Sequence, residues 1–176
     1  MSTIEAINSE NVANQNSSAG ERLRVCHLSL TLCTGGLERL LVDFARYHNR
    51  EQFELEFVAL GETGAPAEEI QQIGCPVFQF PLTARGKLAK IRQLSDFLNQ
   101  RGYDLLHTHN AYPHFYGSLA AYRSRIPVTI QTRHGRRFGE TFSERMQFAM
   151  ASRFADRVVP VSDDTGQRCK KIGWLD

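Results

Sequence analysis

The chain has 176 residues, 41% of them hydrophobic and 23% charged, the balance of one folded domain with a tail and too short for two full-sized domains. Twenty-one Lys+Arg stand against nineteen Asp+Glu, a net charge of +2, and a charge so near zero argues against an electrostatically driven nucleic-acid binder. No apolar run approaches the ~20 residues that span a bilayer.

Residues 1–21 are polar, rich in Asn and Ser. They bury too little surface to offset their ordering entropy and are expected to form a disordered tail, with the folded domain over 22–176. The tail has neither a basic start nor an apolar block, so no secretory signal is read and a cytoplasmic location is expected. Residues 24–30 (R-V-C-H-L-S-L) read as a first strand. After a Gly-Gly turn, Leu37, Leu40, Leu41, Phe44 and His48 recur at helical spacing. A second strand is expected over 53–60 and a short helix over 66–73, with Pro66 suited to a first helical turn. A third strand follows over 76–80. Leu88, Ile91, Leu94 and Leu98 mark an amphipathic helix that stops near Gly102. The fourth strand is expected over 103–108, a helix over 112–123, and the fifth strand over 127–132. A helix over 140–154, a sixth strand over 157–161 and a last helix over 163–172 complete the pattern. Short strands, apolar on both sides and alternating with helices, specify an open, mostly parallel α/β sheet with helices on both faces. Cys26, Cys33, Cys75 and Cys169 form no C-x-x-C pair or metal-ligand set and are expected as free thiols in a reducing compartment.

In such a sheet, ligands bind beyond the carboxyl ends of the strands, so the loops leaving strands one, four, five and six matter. The first holds Thr34-Gly35-Gly36 before a helix. Glycine there lets a backbone approach a ligand, and the helix start presents N–H groups and a positive dipole end to a phosphate. Glu38 complements that dipole without further function, and Arg39 either reaches an anion or faces water. Neither G-x-G-x-x-G nor G-x-x-x-x-G-K-[ST] is present, which counts against dinucleotide binding and P-loop hydrolysis. The fourth loop holds His107-Thr108-His109-Asn110. Strand alternation puts His107 and His109 on one side. No Asp, Glu or Cys beside them completes a metal set, so no metal site is expected; His109, nearest the loop, is the candidate to bond a substrate hydroxyl. The fifth loop, Thr132-Arg133-His134-Gly135-Arg136-Arg137, combines an imidazole at the strand end with three arginines whose guanidinium forks match phosphate. In the sixth, Ser162 or Asp163 caps the last helix.

These pieces resemble, in order, the N-terminal domain of the family 4 retaining glycosyltransferases, enzymes with two Rossmann-like domains facing a cleft. Thr34-Gly35-Gly36-Leu37-Glu38-Arg39 is similar to the family's Gly-Gly loop and first helix. Tyr103 to His109 is similar to its D-hydrophobic-hydrophobic-H-x-H strand, Thr132-Arg133-His134-Gly135 to its T-x-H-G strand end, and Val159-Pro160-Val161-Ser162 to the strand ending in V-S. The resemblance covers roughly residues 23–176.

It implies a single Rossmann-like domain, half of a two-domain enzyme that transfers a hexose-type sugar, with retention, from a nucleotide-diphosphate sugar to a glycan or lipid-linked acceptor. No cofactor or metal is implied beyond the donor substrate. Gly35 and Gly36 would lie against the donor diphosphate, with Arg133 beside them. His134 would act at the donor sugar and phosphate as the catalytic residue. His109, Asn110, Arg136 and Arg137 would line the acceptor side. The C-terminal donor-binding domain is absent from this sequence, so a separate C-terminal half is an implied partner and the isolated chain is expected to have negligible turnover. Peripheral contact with the inner face of the membrane is also implied, and no nucleic acid. Two alternatives stand beside this reading: a non-catalytic acceptor-binding or regulatory subunit, and an unrelated nucleotide-binding enzyme of Rossmann type.

Overall fold

Six parallel strands in the order β3-β2-β1-β4-β5-β6 make one sheet in the computed structural model of the chain, which describes residues 21–135 and 141–173. Residues 1–20 of the expected tail and the pair Arg136 and Arg137 lie outside the described residues. The strands are β1 Leu23–Ser29, β2 Phe53–Ala59, β3 Val77–Gln79, β4 Leu105–His109, β5 Val128–Arg133 and β6 Arg157–Pro160. Between them run α1 Gly36–Tyr47, α2 Ala65–Gln72, α3 Lys87–Asn99, α4 Ala111–Ser124 and α5 Phe142–Ser152, and α6 Asp163–Gly173 closes the described chain. Every expected element forms, with ends displaced by a few residues.

Alternation along the strands divides the core in two. Val25, Leu55, Phe57 and Ala59 face α1 and α2, where Leu41, Val42, Ala45 and Ile70 are buried. Cys26, Leu28, Val58 and Leu106 face α3 and α4, against Leu94, Leu98, Phe115 and Ala120. A one-residue slip of any strand would carry each of these side chains to the opposite face, losing about 1.5–3 kcal/mol for each large one exposed. On the second face α4 lies close to the sheet. Gly117 permits this, since a Cβ there would sit 2.8 Å from Leu28 Cδ2 and from Thr108 Cγ2. The four cysteines are free, as expected, and Cys26, Cys75 and Cys169 are buried.

Local chemistry explains where the ends move. α5 begins at Phe142 because Thr141 and Glu144 form a reciprocal cap: Thr141 Oγ1 accepts from Glu144 N, and the Glu144 carboxylate accepts from Thr141 N. Ser162 Oγ accepts from Thr165 N at the start of α6, as the cap reading anticipates. β4 starts two residues late because Asp104 turns its carboxylate to Arg24 N (2.8 Å) and Tyr103 directs its hydroxyl to Glu56 Oε2 (2.6 Å). It also ends one residue late: His109 pairs in register with Thr132 of β5. That extra residue puts His109 inside the sheet rather than on the loop.

Strand order reverses between β1 and β4. The chain moves from β1 through β2 to β3 on one side, then crosses by α3 to β4 and proceeds through β5 to β6 on the other. The loops after β1 and β4 therefore diverge to opposite faces, and a crevice opens at the carboxyl tips.

Candidate functional site

A hollow of about 510 Å³ opens at those tips, lined by Leu30 after β1, by Asn110, Ala111, Tyr112 and Pro113 at the start of α4, and by Arg133, His134 and Gly135 at the end of β5. Two backbone devices shape its floor. Asn110 stands at φ 67, in the left-handed region, and Gly135 at φ 116. Asn110 N donates to Thr132 O (3.1 Å), and its Oδ1 accepts from His134 N (3.1 Å). One side chain thus ties the β4 tip to the β5 tip, which accounts for a conformation that costs a non-glycine residue about 1–3 kcal/mol.

Behind the rim stand four imidazoles from three adjacent strands. His27 on β1 is the register partner of His107 on β4. His27 Nδ1 and His109 Nε2 are 3.1 Å apart, and His109 Nδ1 and His134 Nε2 are also 3.1 Å apart. His107 packs against His109 at 4.3 Å between centroids, the rings tilted by 35°, and turns Nε2 to Thr132 Oγ1 (2.7 Å). His27 is sandwiched between Phe44 and Phe57, at 5.1 and 5.0 Å. Burial penalises the charged form of each. His27 and His109 fall well below the ordinary histidine value, His107 falls to about 4, and half-buried His134 is lowered by burial and by the neighbouring Arg133 charge. All four are neutral at pH 7, each with one N–H to place.

The site residues expected from sequence divide accordingly. Asn110 and His134 line the hollow together. Gly35 and Gly36 sit on the same carboxyl edge, on the loop that continues from Leu30, but they do not line this hollow. The space a Gly35 side chain would fill is taken by the Glu38 carboxylate, which also accepts from Thr31 Oγ1 (3.2 Å). Glu38 thus serves the positive end of α1, in keeping with the dipole reading. His109 requires a correction. It is fully buried and both its nitrogens are engaged, so it does not contact an acceptor. Arg133 requires another. It follows Thr129 and Gln131 in alternation, which turns its side chain toward the α4 and α5 layer; it is 3% exposed. Its charge is felt by His114 and lies in the field of Glu144, while burial lowers it to about 10. A guanidinium so placed supports the wall and is not offered to a diphosphate.

Sequence reasoning missed His27. No signal in the sequence alone marks it: only the strand order, which switches at β1 and β4, brings residues 27 and 107 side by side. His27, His107 and His109 each have a ring nitrogen within 4.8 Å of the others, close enough in principle for three imidazoles to share a divalent cation. Two of those nitrogens, however, already face each other in a hydrogen bond. Among the described residues no carboxylate bonds to any of the three, so nothing there balances a buried double charge.

The Glycosyltransferase Family 4 model matches residues 34–174, a span that holds the Gly-Gly loop, the strand ending in His109 and the whole hollow apart from Leu30. The chain belongs to Glycosyltransferase Family 4. An Escherichia coli relative, UDP-Gal:alpha-D-GlcNAc-diphosphoundecaprenol alpha-1,3-galactosyltransferase, is 19% identical over 170 residues, covering 90% of this chain and 43% of the relative. Anabaena Alr3699/HepE, solved in complex with UDP and glucose, is similar in fold with a TM-score of 0.67 at 20% identity, over 86% of this chain and 42% of that one. A glycosyltransferase from Rickettsia africae ESF-5 is similar with a TM-score of 0.69 at 16% identity, over 89% and 41%. The chain therefore spans less than half the length of each of these proteins. Family membership closes the alternative of an unrelated Rossmann-type enzyme. No helix among the described residues is long and apolar enough to cross a membrane.

Proposed function

We propose that this domain is the N-terminal, acceptor-side half of a retaining glycosyltransferase. It takes part in moving a hexose-type sugar from a nucleotide-diphosphate donor to a glycan or lipid-linked acceptor. The observation that carries the reading is the hollow itself: in a family 4 domain, at the carboxyl tips beside the switch point, half-buried His134 and Asn110 converge on a wall of Leu30, Tyr112 and Pro113. An apolar wall with a few fixed polar groups suits a sugar ring, which offers hydroxyls at its edge and C–H groups on its face.

In this reading His134 meets the donor sugar near the reacting carbon, and Asn110 orients the acceptor. The N-terminus of α1 at Gly35 and Gly36 approaches the donor diphosphate, where helix N–H groups stabilise the charge that grows on the leaving group. Arg136 and Arg137, which follow Gly135 in the sequence, are assigned to acceptor binding, where guanidinium charge would suit an anionic or lipid-diphosphate group at the inner membrane surface. The rest of the donor site, and with it the choice of base and sugar, lies in a second domain. The E. coli relative's substrate, a diphosphoundecaprenol-linked sugar, supports an acceptor of that class.

Titration of the 15N-labelled chain with a soluble lipid-diphosphate N-acetylhexosamine analogue, followed by amide spectra, tests the assignment. The signals of Asn110, Tyr112, His134 and Gly135 are expected to move together, with little response to a UDP-sugar alone. Acceptor signals that stay still, or robust transfer by the 176 residues alone, would refute the acceptor-side half reading.

A further inference from the structure

We propose that His27, His109 and His134 form one hydrogen-bonded imidazole column whose protonation pattern is set at His27, so that His134 presents an N–H donor, from Nδ1, to the hollow. His27 is then a positioning residue that acts through His109. The column crosses three neighbouring strands, from His27 under Phe44 and Phe57 on β1, through fully buried His109 on β4, to half-buried His134 at the β5 tip.

The argument is one of proton counting. A neutral imidazole has one N–H and one acceptor nitrogen. Each of the two 3.1 Å contacts needs one donor and one acceptor, so the three rings have only two consistent arrangements. In the first, His27 Nδ1–H donates to His109 Nε2, His109 Nδ1–H donates to His134 Nε2, and the proton of His134 is left on Nδ1. In the second, His134 Nε2–H donates to His109 Nδ1, His109 Nε2–H donates to His27 Nδ1, and His27 is left with its proton on Nε2. Among the described residues, no hydrogen-bond partner faces either His27 Nε2 or His134 Nδ1. The second arrangement puts the unpartnered N–H at a residue that is 4% exposed, whereas the first leaves only an acceptor lone pair there and puts the N–H at half-buried His134, which lines the hollow. An unpartnered donor costs more the less solvent reaches it, so the first arrangement is favoured.

The column orients and does not supply protons. Passing the outer proton to a ligand and refilling it from behind would leave an anionic ring at His27, with no group in the chain of bonds to replace the proton. Its effect is to fix a dipole, as the orienting partner of any site imidazole does. An Nδ1–H donor at the rim suits a sugar hydroxyl or a phosphate oxygen. The groups facing the column are His107, which packs against it at a tilt, His48, whose charge would be felt at His27, and Arg133 beside His134.

This consequence for sugar transfer rests on the proposed function above, but the tautomers are measured without any sugar nucleotide, so the two stand or fall separately. Long-range 1H–15N spectra of the full chain at pH 7.5 are expected to show His109 and His134 predominantly as Nδ1–H forms. His27→Phe fills the aromatic slot but removes the donor, and should turn His134 into a mixture of both tautomers. His27→Asn, with an amide N–H near the position of Nδ1, should restore the Nδ1–H form. A purely packing role predicts the opposite order, with Phe tolerated and Asn disruptive. His134 found as Nε2–H in the native chain, or a tautomer indifferent to His27→Phe, overturns the proposal. So does uptake of one equivalent of Zn2+ that moves the His27, His107 and His109 signals. If His27→Phe fails to fold, the native spectrum alone decides.

Discussion

Acid should unfold this domain well above the carboxylate range. His27, His107, His109 and His114 are all held neutral by burial; His107 falls to about 4 and His114 to about 3. A folded-state value below the unfolded 6.5 means that the unfolded chain binds more protons as pH drops. Stability is thus full above pH 6.5 and is lost progressively toward pH 4 for His107 and pH 3 for His114. At pH 5 the deficit is about 1.5 pH units, or about 2 kcal/mol per imidazole. His107 and His114 together amount to about 4 kcal/mol, a large share of the whole stability of a small domain, about 5–15 kcal/mol, and His27 and His109 act in the same direction. Carboxylates are largely ionised in both states at pH 5, so the loss belongs to the imidazoles. Urea unfolding followed by circular dichroism should give a plateau from pH 7 to 8 and a steep fall between pH 6.5 and 4.5. Replacing His114, which bonds Ser118 and Ser152, should reduce the slope by about one proton. A free energy that changes by less than about 2 kcal/mol between pH 7.5 and 5 would refute the reasoning, because the rings would then be charging inside the fold.

Two further outcomes follow from the packing. Glu56 is 6% exposed and is held by Arg101 (3.1 Å), Arg24 (3.4 Å) and the Tyr103 hydroxyl. Removing one partner from such a buried set leaves the others uncompensated, so Glu56→Gln should lower the urea-derived stability by about 3 kcal/mol; a loss under about 1 kcal/mol would mean that solvent already screens the group. Gly117→Val forces a branched side chain against Leu28 and Thr108 and should cost about 1–3 kcal/mol, with a smaller loss for alanine, both read as shifts in thermal midpoint. An unchanged midpoint for valine would show that α4 can lift off the sheet at no cost.

The fold was legible because its signals are local and redundant. Leu37, Leu41 and Phe44 mark a helix by spacing alone, and the run from Val25 to Leu28 marks a strand. The site was legible only in part. Asn110 and His134 could be placed at the hollow because each stands where a strand ends, and a strand end in a parallel sheet faces the ligand edge. His109 was misplaced by one residue of strand length: hydrophobic pattern stops at Thr108, whereas the ladder to β5 continues through His109, and pairing decides burial. Arg133 was misjudged because arginine in a basic run reads as exposed, while alternation from Gln131 commits it to the helix-covered face. His27 carries no signal by itself. Only its neighbours across β1 and β4 give it meaning, and those belong to strand order rather than to sequence.

The histidines raise a question of consistency. The stripe that holds His27 and His107 is otherwise apolar, with Val25 and Leu105 preceding them, and the aromatic slot between Phe44 and Phe57 would accept a phenylalanine. Apolar rings there would remove the share of the acid sensitivity that these strand histidines carry, at no loss of packing. A rule of core composition broken three times on one face, toward the carboxyl end of the sheet, is the kind of local conflict expected at a functional site. A self-contained polar cluster would also satisfy its own bonds, so internal satisfaction does not distinguish the two. What does is the open end. The bonds run outward from the deepest strand, each fixing the next, and the last ring keeps one nitrogen for the hollow. In the proposed arrangement the column ends at the rim with an N–H, which a cluster serving stability alone would not need.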